Sequence, residues 1–520
     1  MIIDIKKEIE DRHYGESLIP LQNGILNADL LLIKCYFGMF NQVNSWLEDS
    51  YNMNPGVPGT QFKILGFGKN GDYDFSLVSL MIIIQKYKDN LSEKAKNNLI
   101  DYLLIPKGTD LLKEFWGFSL IPETENHLLL TNISLFLTNE ILYERDGKFD
   151  YNNNVNGVKD WLKHYLLNIT FNGYYEYNSK PYFSWTVRGL QNLYSFSKDQ
   201  EIKKLAEKLL NKTFYKYAVQ NKNGNLIVPF RRRRDYLVDT IRENDEFATW
   251  FLALTGFIPD YEINCWKELN HDFNFMLTTI IQDYKPEQKF VDIALSNDKY
   301  WVKCKHSNLE LTYKEKNFAI FGGGHEDTLI PLIKSSNDGI PRQTCLYLND
   351  NSKLISDLIR FEIKFDILYF INNTGVYQNF ACGLNLTIPE KFNCIKTYQK
   401  DNIIFKFFET ENCYIATLYS NNLYTEYLFI DNYGCFEVVD KSEFENIQDF
   451  ISKVISINQN ISLTHDMLCF YRSTRGYDIN FVCYTNNKDW LIKKVIKDRK
   501  IIDSVENIEK SKYLTIYHNQ

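Results

Sequence analysis

The spacing of hydrophobic residues changes once along the chain, near Pro286. Before this point apolar residues recur every three or four positions, a spacing that places them on one face of an α-helix. Short loops rich in Gly, Asn or Pro separate these segments. We predict helices over Ile25–Trp46, Asp74–Tyr87, Leu91–Leu104, Asn126–Leu142, Val158–Leu167, Pro181–Phe196, Gln200–Ala218, Glu243–Leu254 and Tyr261–Tyr284.

After Pro286 apolar and polar residues alternate, which is typical of half-buried antiparallel strands. The segment that begins at Phe361 shows the alternation most clearly. We predict strands over Tyr300–Lys305, Leu309–Tyr313, Phe361–Phe370, Ile403–Phe408, Cys413–Tyr419, Tyr427–Asp431 and Asn480–Tyr484. One amphipathic helix, Glu443–Ile455, is predicted to interrupt them.

A run of helices followed by a run of strands predicts an α+β chain with more than one domain. We place the domains at residues 1–288 and 289–520. Short connections make the helices antiparallel neighbours, as in a bundle, a solenoid or a toroid. No fixed-period repeat favours a repeat array. The second domain is predicted to be an antiparallel β-sandwich, or a sandwich with a smaller additional sheet.

Composition narrows the range of functions. With 520 residues, of which 44% are hydrophobic, the chain is long and apolar enough for a large globular core. Its formal net charge of −7 argues against general nucleic-acid binding. Aromatic residues make up 15% of the chain, and Tyr rings suit the apolar faces of sugars. AT-biased codon usage enriches the same residues, so the aromatic content by itself does not distinguish sugar binding from codon bias.

The ten cysteines form no C-x-x-C pair, so neither a zinc knuckle nor a thioredoxin-type site is predicted, and most should be buried thiols. The histidines other than His127 and His325 show no metal-ligand spacing, and we expect no cofactor. The first residues contain no apolar signal region, and no run is long enough to span a bilayer. These features predict a cytoplasmic protein without membrane contact, or a secreted or periplasmic one if a leader was removed.

The stretch Trp116–Asn139 contains the first candidate chemistry. Thr124 is a plausible N-cap for a helix whose second and third residues are Asn126 and His127. The predicted buried stripe consists of Leu129, Ile133, Phe136 and Leu137. His127 lies off this stripe and shares a face with Thr131, Ser134 and Thr138. Such a polar face suits a cleft wall, although Asn126 and His127 could equally decorate a helix end.

The stretch Gly173–Phe196 contains the second. Ser179 can cap a helix and Pro181 can open it. Tyr182 then falls in the first turn, on the side of Trp185, Thr186 and Gly189 and away from the stripe of Phe183, Val187 and Leu190. Glu176 and Asn178 lie in the preceding loop. The alternative is an aromatic-rich loop that packs against the neighbouring helices.

Together these stretches resemble the helical-toroid polysaccharide lyases, the group that includes alginate lyases and heparinase-like enzymes. Phe115-Trp116 followed by Thr124-Glu125-Asn126-His127 is similar to the Asn-His helix start of that group. The later Glu-x-x-Ser-x-x-Tyr motif, which runs from Glu176 to Tyr182, matches its facing Tyr. The motifs cover about 40 residues, whereas the order of helices and strands is similar along most of the chain. The resemblance implies an α/α toroid followed by a β-sandwich.

The resemblance also implies roles in β-elimination. Asn126 would bind the uronate carboxylate and lower the pKa of the C5 proton, and His127 would act as the base or assist it. Tyr182 would protonate the leaving oxygen, and could be the base for the opposite C5 epimer. Glu125, Trp116, Glu176 and Asn178 are candidate substrate contacts. Proton abstraction beside a carboxylate needs fixed hydrogen-bond donors and a base with a pKa near the working pH.

Basic residues are candidate contacts for an acidic polysaccharide. Arg188 lies on a different helix face from Tyr182, and Arg231 and Arg233 belong to a run of four arginines. Arginine binds carboxylate or sulfate in a bidentate way, although the run is equally consistent with a solvated loop. His325 follows three glycines, a loop that could reach a cleft or form a surface turn.

Three functions remain open from the sequence. The first is a lyase that cleaves a uronic-acid polysaccharide. The second is a toroid glycoside hydrolase, which needs two carboxylates. Its candidate carboxylates are Glu125, Glu176, Glu243 and Asp245. The third is a non-catalytic glycan-binding or structural protein. The oligomeric state is left open.

Overall fold

The structure is a computed structural model that separates helices and sheets along the chain. The residues it describes are 1–49, 55–60, 71–116, 121–179, 182–228, 246–258, 272–305, 309–323, 345–350, 353–355, 360–361, 375–384, 386–389, 392–424, 429–461, 468–482, 490–504, 506–507 and 513–518. Helices fill most of the first half and antiparallel sheets most of the second. The predicted α+β class with more than one compact unit is therefore confirmed.

The chain divides into two compact units. The first takes the described residues of Met1–Tyr215, Asn244–Ile258 and Cys265–Val291, and the second takes those of Lys216–Glu243, Pro259–Asn264 and Asp292–Gln520. One small core of the first unit joins Ile9 on its first helix to Leu252 and Met276 near its end. Residues far apart in sequence thus close this unit.

The helices follow the apolar period of the sequence. They are α1 Ile5–Ser17, α2 Ala28–Tyr36, α3 Phe40–Glu48, α4 Asp74–Lys86, α5 Glu93–Asn98, α6 Glu125–Asp146, α7 Val158–Asn172, α8 Phe183–Phe196, α9 Gln200–Gln220, α10 Glu246–Thr255, α11 Phe273–Ile281 and α12 Gln288–Leu295. The single helix predicted over Ile25–Trp46 is wrong. Gly38 adopts a left-handed φ of 71° between α2 and α3 and ends the first of them. Helices α1 and α12 were not predicted.

Helix α6 is central to the first unit. It packs against α4 and α8, and every residue from Glu125 to Asn139 is buried. The predicted polar face is therefore buried as well as the apolar stripe. Helix α8 packs closely on α6 at Gly189, where an added Cβ would lie 3.0 Å from Leu130 Cδ2.

The strands of the described residues are antiparallel. Two short pairs are β1 Phe115–Trp116 with β2 Ile121–Pro122, and β3 Asn221–Lys222 with β4 Asn225–Leu226. The others are β5 Tyr300–Lys305, β6 Leu309–Lys314, β7 Phe318–Gly323, β8 Cys345–Asp350, β9 Lys353–Ile355, β10 Arg360–Phe361, β11 Val376–Tyr377, β12 Phe380–Leu384, β13 Leu386–Thr387, β14 Cys394–Lys400, β15 Ile403–Glu409, β16 Cys413–Tyr424, β17 Phe429–Asp440, β18 Leu468–Arg472, β19 Asp478–Val482, β20 Ile492–Lys497, β21 Lys500–Ser504 and β22 Leu514–His518.

Three larger sheets of the second unit order these strands as β13-β10-β8-β7-β6-β5-β22 with β9 beside β8, as β11-β12-β17-β16-β15-β14, and as β18-β19-β20-β21. The C-terminal strand β22 pairs with β5, the first strand of its sheet in sequence. The clearest predicted alternation, Phe361–Phe370, lies outside the described residues except at Phe361. Strand β15 does alternate, with Ile403, Phe405 and Phe407 in the core.

Helix α13, Ile447–Ile457, confirms the predicted interruption and begins where the Asn446 side chain accepts two backbone N–H bonds. The described cysteine side chains are free thiols, and all but Cys394 are buried. In the described part of the chain, the helices are too short or too polar to cross a bilayer.

Candidate active site

His127 and Asp74 form a buried pair between helices α6 and α4. The imidazole Nδ1–H donates to Asp74 Oδ2 over 2.6 Å, and Asp74 Oδ1 accepts the Gly59 backbone N–H at 3.2 Å. Asp74 is fully buried and His127 is 5% exposed. A carboxylate on one ring nitrogen fixes the tautomer and turns the other nitrogen toward a partner. That nitrogen, Nε2, lies 3.5 Å from the exposed carboxylate of Asp72.

These carboxylates set the charge of the imidazole. Burial by itself lowers the pKa of His127, but the hydrogen bond and charge of Asp74 outweigh it. Charges on Glu123 and Asp72 add to the effect, so the pKa of His127 lies above the ordinary value of 6.5. Asp74 therefore makes His127 a stronger base than a free imidazole.

This pairing predicts a pH-dependent stability. Because the folded-state pKa of His127 is raised, the protonated ring contributes stability that is fully present below about pH 6.5 and is lost as the pH rises through the folded-state pKa. We expect Asp74→Asn to lower the free energy of unfolding by about 1–3 kcal/mol at pH 6, because it replaces a charged acceptor by a neutral one. Urea unfolding should show a smaller difference at pH 9.

The matched control is Asp72→Asn. Asp72 has a left-handed φ of 66°, which Asn tolerates well, and its side chain is 66% exposed. Its loss should change the free energy of unfolding by about 0–1 kcal/mol. Equal effects of the two substitutions at both pH values would contradict the Asp74–His127 pairing.

The ring of Phe75 connects the two predicted helix starts. Its centroid lies 5.2 Å from that of His127 and 6.3 Å from that of Tyr182, with the Tyr182 ring inclined by 15°. Trp185 packs on the same ring at 4.7 Å. Two of the three predicted catalytic residues are thus brought together around one aromatic side chain. Tyr182 is half-buried.

Asn126, the third, lies beside His127 at the start of α6. Its side chain is fully buried, and neither amide atom has a hydrogen-bond partner among the described residues. Leaving such a group unsatisfied costs about 1–3 kcal/mol. A buried amide without a partner is unusual in a folded protein, and it is suited to bind a polar ligand group.

Two carboxylates hold the helix start against the loop before α8. Glu125 accepts the backbone N–H groups of Tyr175 and Glu176, each at 3.1 Å. Glu176 in turn accepts the Asn126 N–H at 3.3 Å. Glu125 and Glu176, which are both predicted substrate contacts, therefore join the elements that carry Asn126 and Tyr182. These bonds engage two of the four carboxylates that are candidates for a hydrolase.

Loss of one carboxylate should loosen this joint. We expect Glu125→Gln to lower the free energy of unfolding by about 1.5–3 kcal/mol, because it removes the charge that accepts two backbone bonds. Thermal unfolding would measure it. The control is Glu93→Gln on α5, whose side chain is 83% exposed and pairs with Lys96. A Glu125 effect no larger than the control would show that the joint does not stabilise the fold.

The predicted helix caps differ from those observed. Thr124 is the N-cap of α6, but its hydroxyl makes no cap bond, and the Asn126 N–H donates to the Glu176 carboxylate instead. Helix α8 begins at Phe183 with Tyr182 as N-cap, so Tyr182 lies just before the first turn. Glu246, from α10, accepts the Ser184 N–H at 2.7 Å. Caps from distant residues replace the predicted local ones.

Arg188 is fully buried within the first unit. Its guanidinium lies over the Trp185 ring at 4.3 Å and donates to Asp29 Oδ1 at 3.2 Å. Cation–π and ion-pair contacts of this kind fix the orientation of Trp185 and therefore of the aromatic group on Phe75. These contacts are internal to the protein, whereas the predicted contact of Arg188 with a polyanion stays a prediction.

The other predicted contacts are placed as follows. Asn178 is buried with a left-handed φ of 51° in the loop before α8. Trp116 lies in β1, where its backbone pairs with Ile121. Its side chain does not belong to the part of the chain that the structure describes. Arg231, Arg233, His325, Glu243 and Asp245 lie outside the described residues. Within the described part, no group of His, Cys, Asp and Glu side chains could hold a metal ion.

Sequence reasoning missed Asp74 and Phe75. Asp74 was predicted only as the first residue of a helix, where an acidic side chain usually complements the helix dipole. Its distance of 53 positions from His127 left no local sign of their contact. The cluster Asp72-Tyr-Asp74-Phe75 at a helix start was the one available signal, and it is not specific.

Comparisons with known proteins give little further information. No protein-family model matches the chain. No curated protein matches it either. Among solved structures, the chain is similar to the crystal structure of heparinase III, with 10% identity and a TM-score of 0.33 over 94% of this chain and 78% of that one. A likeness this weak carries no argument about function, so the site is interpreted from its own residues.

Proposed function

We propose that this protein cleaves a uronate-containing polysaccharide by β-elimination. The observation that carries the proposal is the group formed by the Asp74–His127 pair, the neighbouring Asn126 amide and the Tyr182 ring. A carboxylate-oriented imidazole, an amide without a protein partner and a phenol are the three groups that this elimination needs.

The substrate carboxylate would bind at the start of α6. Asn126 Nδ2 would donate to it, and the N-terminus of this long helix favours negative charge. The C5 proton becomes acidic only when the charge that develops on the carboxylate is stabilised by donors already in place. Burial of Asn126 excludes water and strengthens this interaction.

His127 would remove the C5 proton through Nε2. Asp74 stabilises the imidazolium that results, as the raised pKa of His127 indicates. The electron pair of the C5–H bond forms the C4–C5 double bond, and the C4–O bond breaks. The Tyr182 hydroxyl would give its proton to the leaving oxygen. Exchange with solvent then restores neutral His127 and the protonated phenol.

The proposal extends to architecture. The antiparallel helices of the first unit would form an α/α toroid, and the larger sheets of the second unit would form a β-sandwich. The order of helices and then strands along the chain supports both. Phe75 and Trp185 would form an aromatic wall for a sugar ring, since aromatic faces pack on the apolar face of a pyranose.

Incubation with a panel of uronic-acid polysaccharides tests the reaction. A lyase produces an unsaturated uronate whose conjugated double bond absorbs ultraviolet light. A hydrolase produces reducing ends without this absorbance, and a non-catalytic binder produces neither. Reducing ends alone would refute the lyase proposal and favour the hydrolase. Retention of the chain on an immobilised polymer without product would favour the binder.

A further inference from the structure

A cavity of about 450 Å³ lies in the first unit, beside the candidate active site. This volume is within the range of small-molecule sites, roughly 300–1,000 Å³. Its polar walls come from Thr60, Asp110, Lys113, Glu123 and Thr131, and Leu112 is among its apolar residues. Apart from the charge of Glu123, which helps to raise the pKa of His127, none of the roles proposed above uses these side chains.

The cavity and the Asp74–His127 pair are built from the same two segments, helix α6 and the residues Gly59 and Thr60. Thr131 follows His127 by one turn of α6, so the two side chains point to the same side of the helix. The backbone of Gly59 donates to Asp74, and the next residue, Thr60, donates its N–H and its hydroxyl to Glu123 at 3.1 and 2.8 Å. A ligand in the cavity would therefore lie one helical turn from the imidazole.

The buried side chains of the cavity favour hydroxyl groups. Glu123 accepts three hydrogen bonds, two from Thr60 and one from the Thr124 N–H, of roughly four that a carboxylate can accept. The Thr131 hydroxyl has no partner among the described residues, and the residue is 2% exposed. A sugar hydroxyl could donate to Glu123 while its neighbour bonds Thr131.

The charges of the cavity disfavour an acidic ligand. Glu123 and Asp110 are negative and Lys113 alone is positive, so these three side chains carry a net charge of −1. Glu123 is buried, whereas Asp110 and Lys113 are both exposed, so solvent screens these two opposite charges and the charge of Glu123 dominates. The negative charge of Glu123 would repel a carboxylate or sulfate in the cavity, whereas an uncharged sugar would not be repelled.

We infer that this cavity binds an uncharged pyranose, with its apolar face on Leu112 and its hydroxyls on Glu123 and Thr131. The inference rests on the proposed function for the statement that this pyranose neighbours the uronate in the same polymer. The enzyme would then select chains in which an uncharged sugar follows the uronate and would reject those in which an acidic sugar occupies that position.

Binding measured without turnover tests the cavity separately from the reaction. The probes are methyl β-D-glucopyranoside and its uronate analogue, titrated into the full chain and followed by saturation-transfer NMR. We expect the neutral glycoside to bind more tightly than the uronate. Thr131→Val should weaken its binding about 3- to 10-fold, the effect of one hydrogen bond. Asp110→Asn should reduce the difference in affinity between the neutral glycoside and the uronate, because it removes one negative charge.

Thr138→Val is the matched control. Thr138 lies two turns along α6 from Thr131, is buried, and also has a hydroxyl without a partner among the described residues, but does not line the cavity. Valine fits both positions, so neither variant should unfold. No binding of the neutral glycoside, equal binding of the uronate, or an equal loss in both variants would overturn the inference. Sugar binding by a chain without lyase activity would leave it standing and refute only the reaction.

Discussion

We expect replacement of His127 by glutamine to lower the turnover of a uronate polymer by about 10²- to 10⁴-fold, the usual contribution of a general base. Glutamine keeps a neutral hydrogen-bond donor near the buried Asp74 carboxylate, while its amide cannot take up the C5 proton. Initial rates from the ultraviolet absorbance of the unsaturated product provide the measurement. The KM should change little, because Asn126 rather than His127 binds the carboxylate.

The pH profile separates a basic role of His127 from a structural one. A base must be neutral, so kcat/KM should rise with pH through the pKa of His127. Asp74→Asn removes the charge that raises this pKa, and the rising limb should move to lower pH. A merely structural Asp74 would lower the rate without moving the limb. Wild-type turnover in His127→Gln would exclude this residue as the base.

We also expect replacement of Tyr182 by phenylalanine to lower the turnover of a uronate polymer by about 10²- to 10⁴-fold, because the leaving oxygen would then receive no proton. The stacked ring on Phe75 is retained, so the melting temperature should stay close to that of the parent chain. Tyr143→Phe is the control, since Tyr143 is 43% exposed on α6 and should affect neither rate nor stability.

A substrate with a better leaving group distinguishes the acid from the base. An aryloxy group at C4 of a uronate leaves as a stable anion without protonation. A substrate of this kind should therefore restore the rate of Tyr182→Phe. The same substrate should not rescue His127→Gln, because removal of the C5 proton remains slow. Rescue of both variants, or of neither, would reject the assigned division of roles.

The structure changes the expected behaviour of His127. The sequence suggests a residue outside the core whose replacement by alanine would leave stability unchanged. In the structure the ring is buried against Asp74 and Phe75, and alanine would leave a buried carboxylate without its partner. Loss of one member of such a pair costs several kcal/mol, roughly 3–5. A loss of activity in His127→Ala would therefore report on folding as well as on chemistry.

The local pattern of the sequence determined much of the fold. Apolar residues at helical spacing predicted α4, α6 and α8 to within a few residues, because the period of an α-helix is visible in any amphipathic segment. Alternation likewise predicted β5, β6, β15 and β16 and parts of β10, β17 and β19. The other described strands were not predicted. The pattern also indicated Asn126, His127 and Tyr182 as polar residues near helix starts, where polar side chains often serve as caps.

Only the tertiary structure decided what surrounds these residues. It buried the polar face of α6 as well as the apolar one, which a helical period cannot reveal because the period identifies only the apolar face. It placed Asp74 on His127, Phe75 between His127 and Tyr182, and Glu246 at the start of α8. Such contacts depend on how helices distant in sequence cross and pack. The sequence by itself therefore determined the elements and the candidate groups, whereas the packing of α4, α6 and α8 determined the charge and orientation of His127.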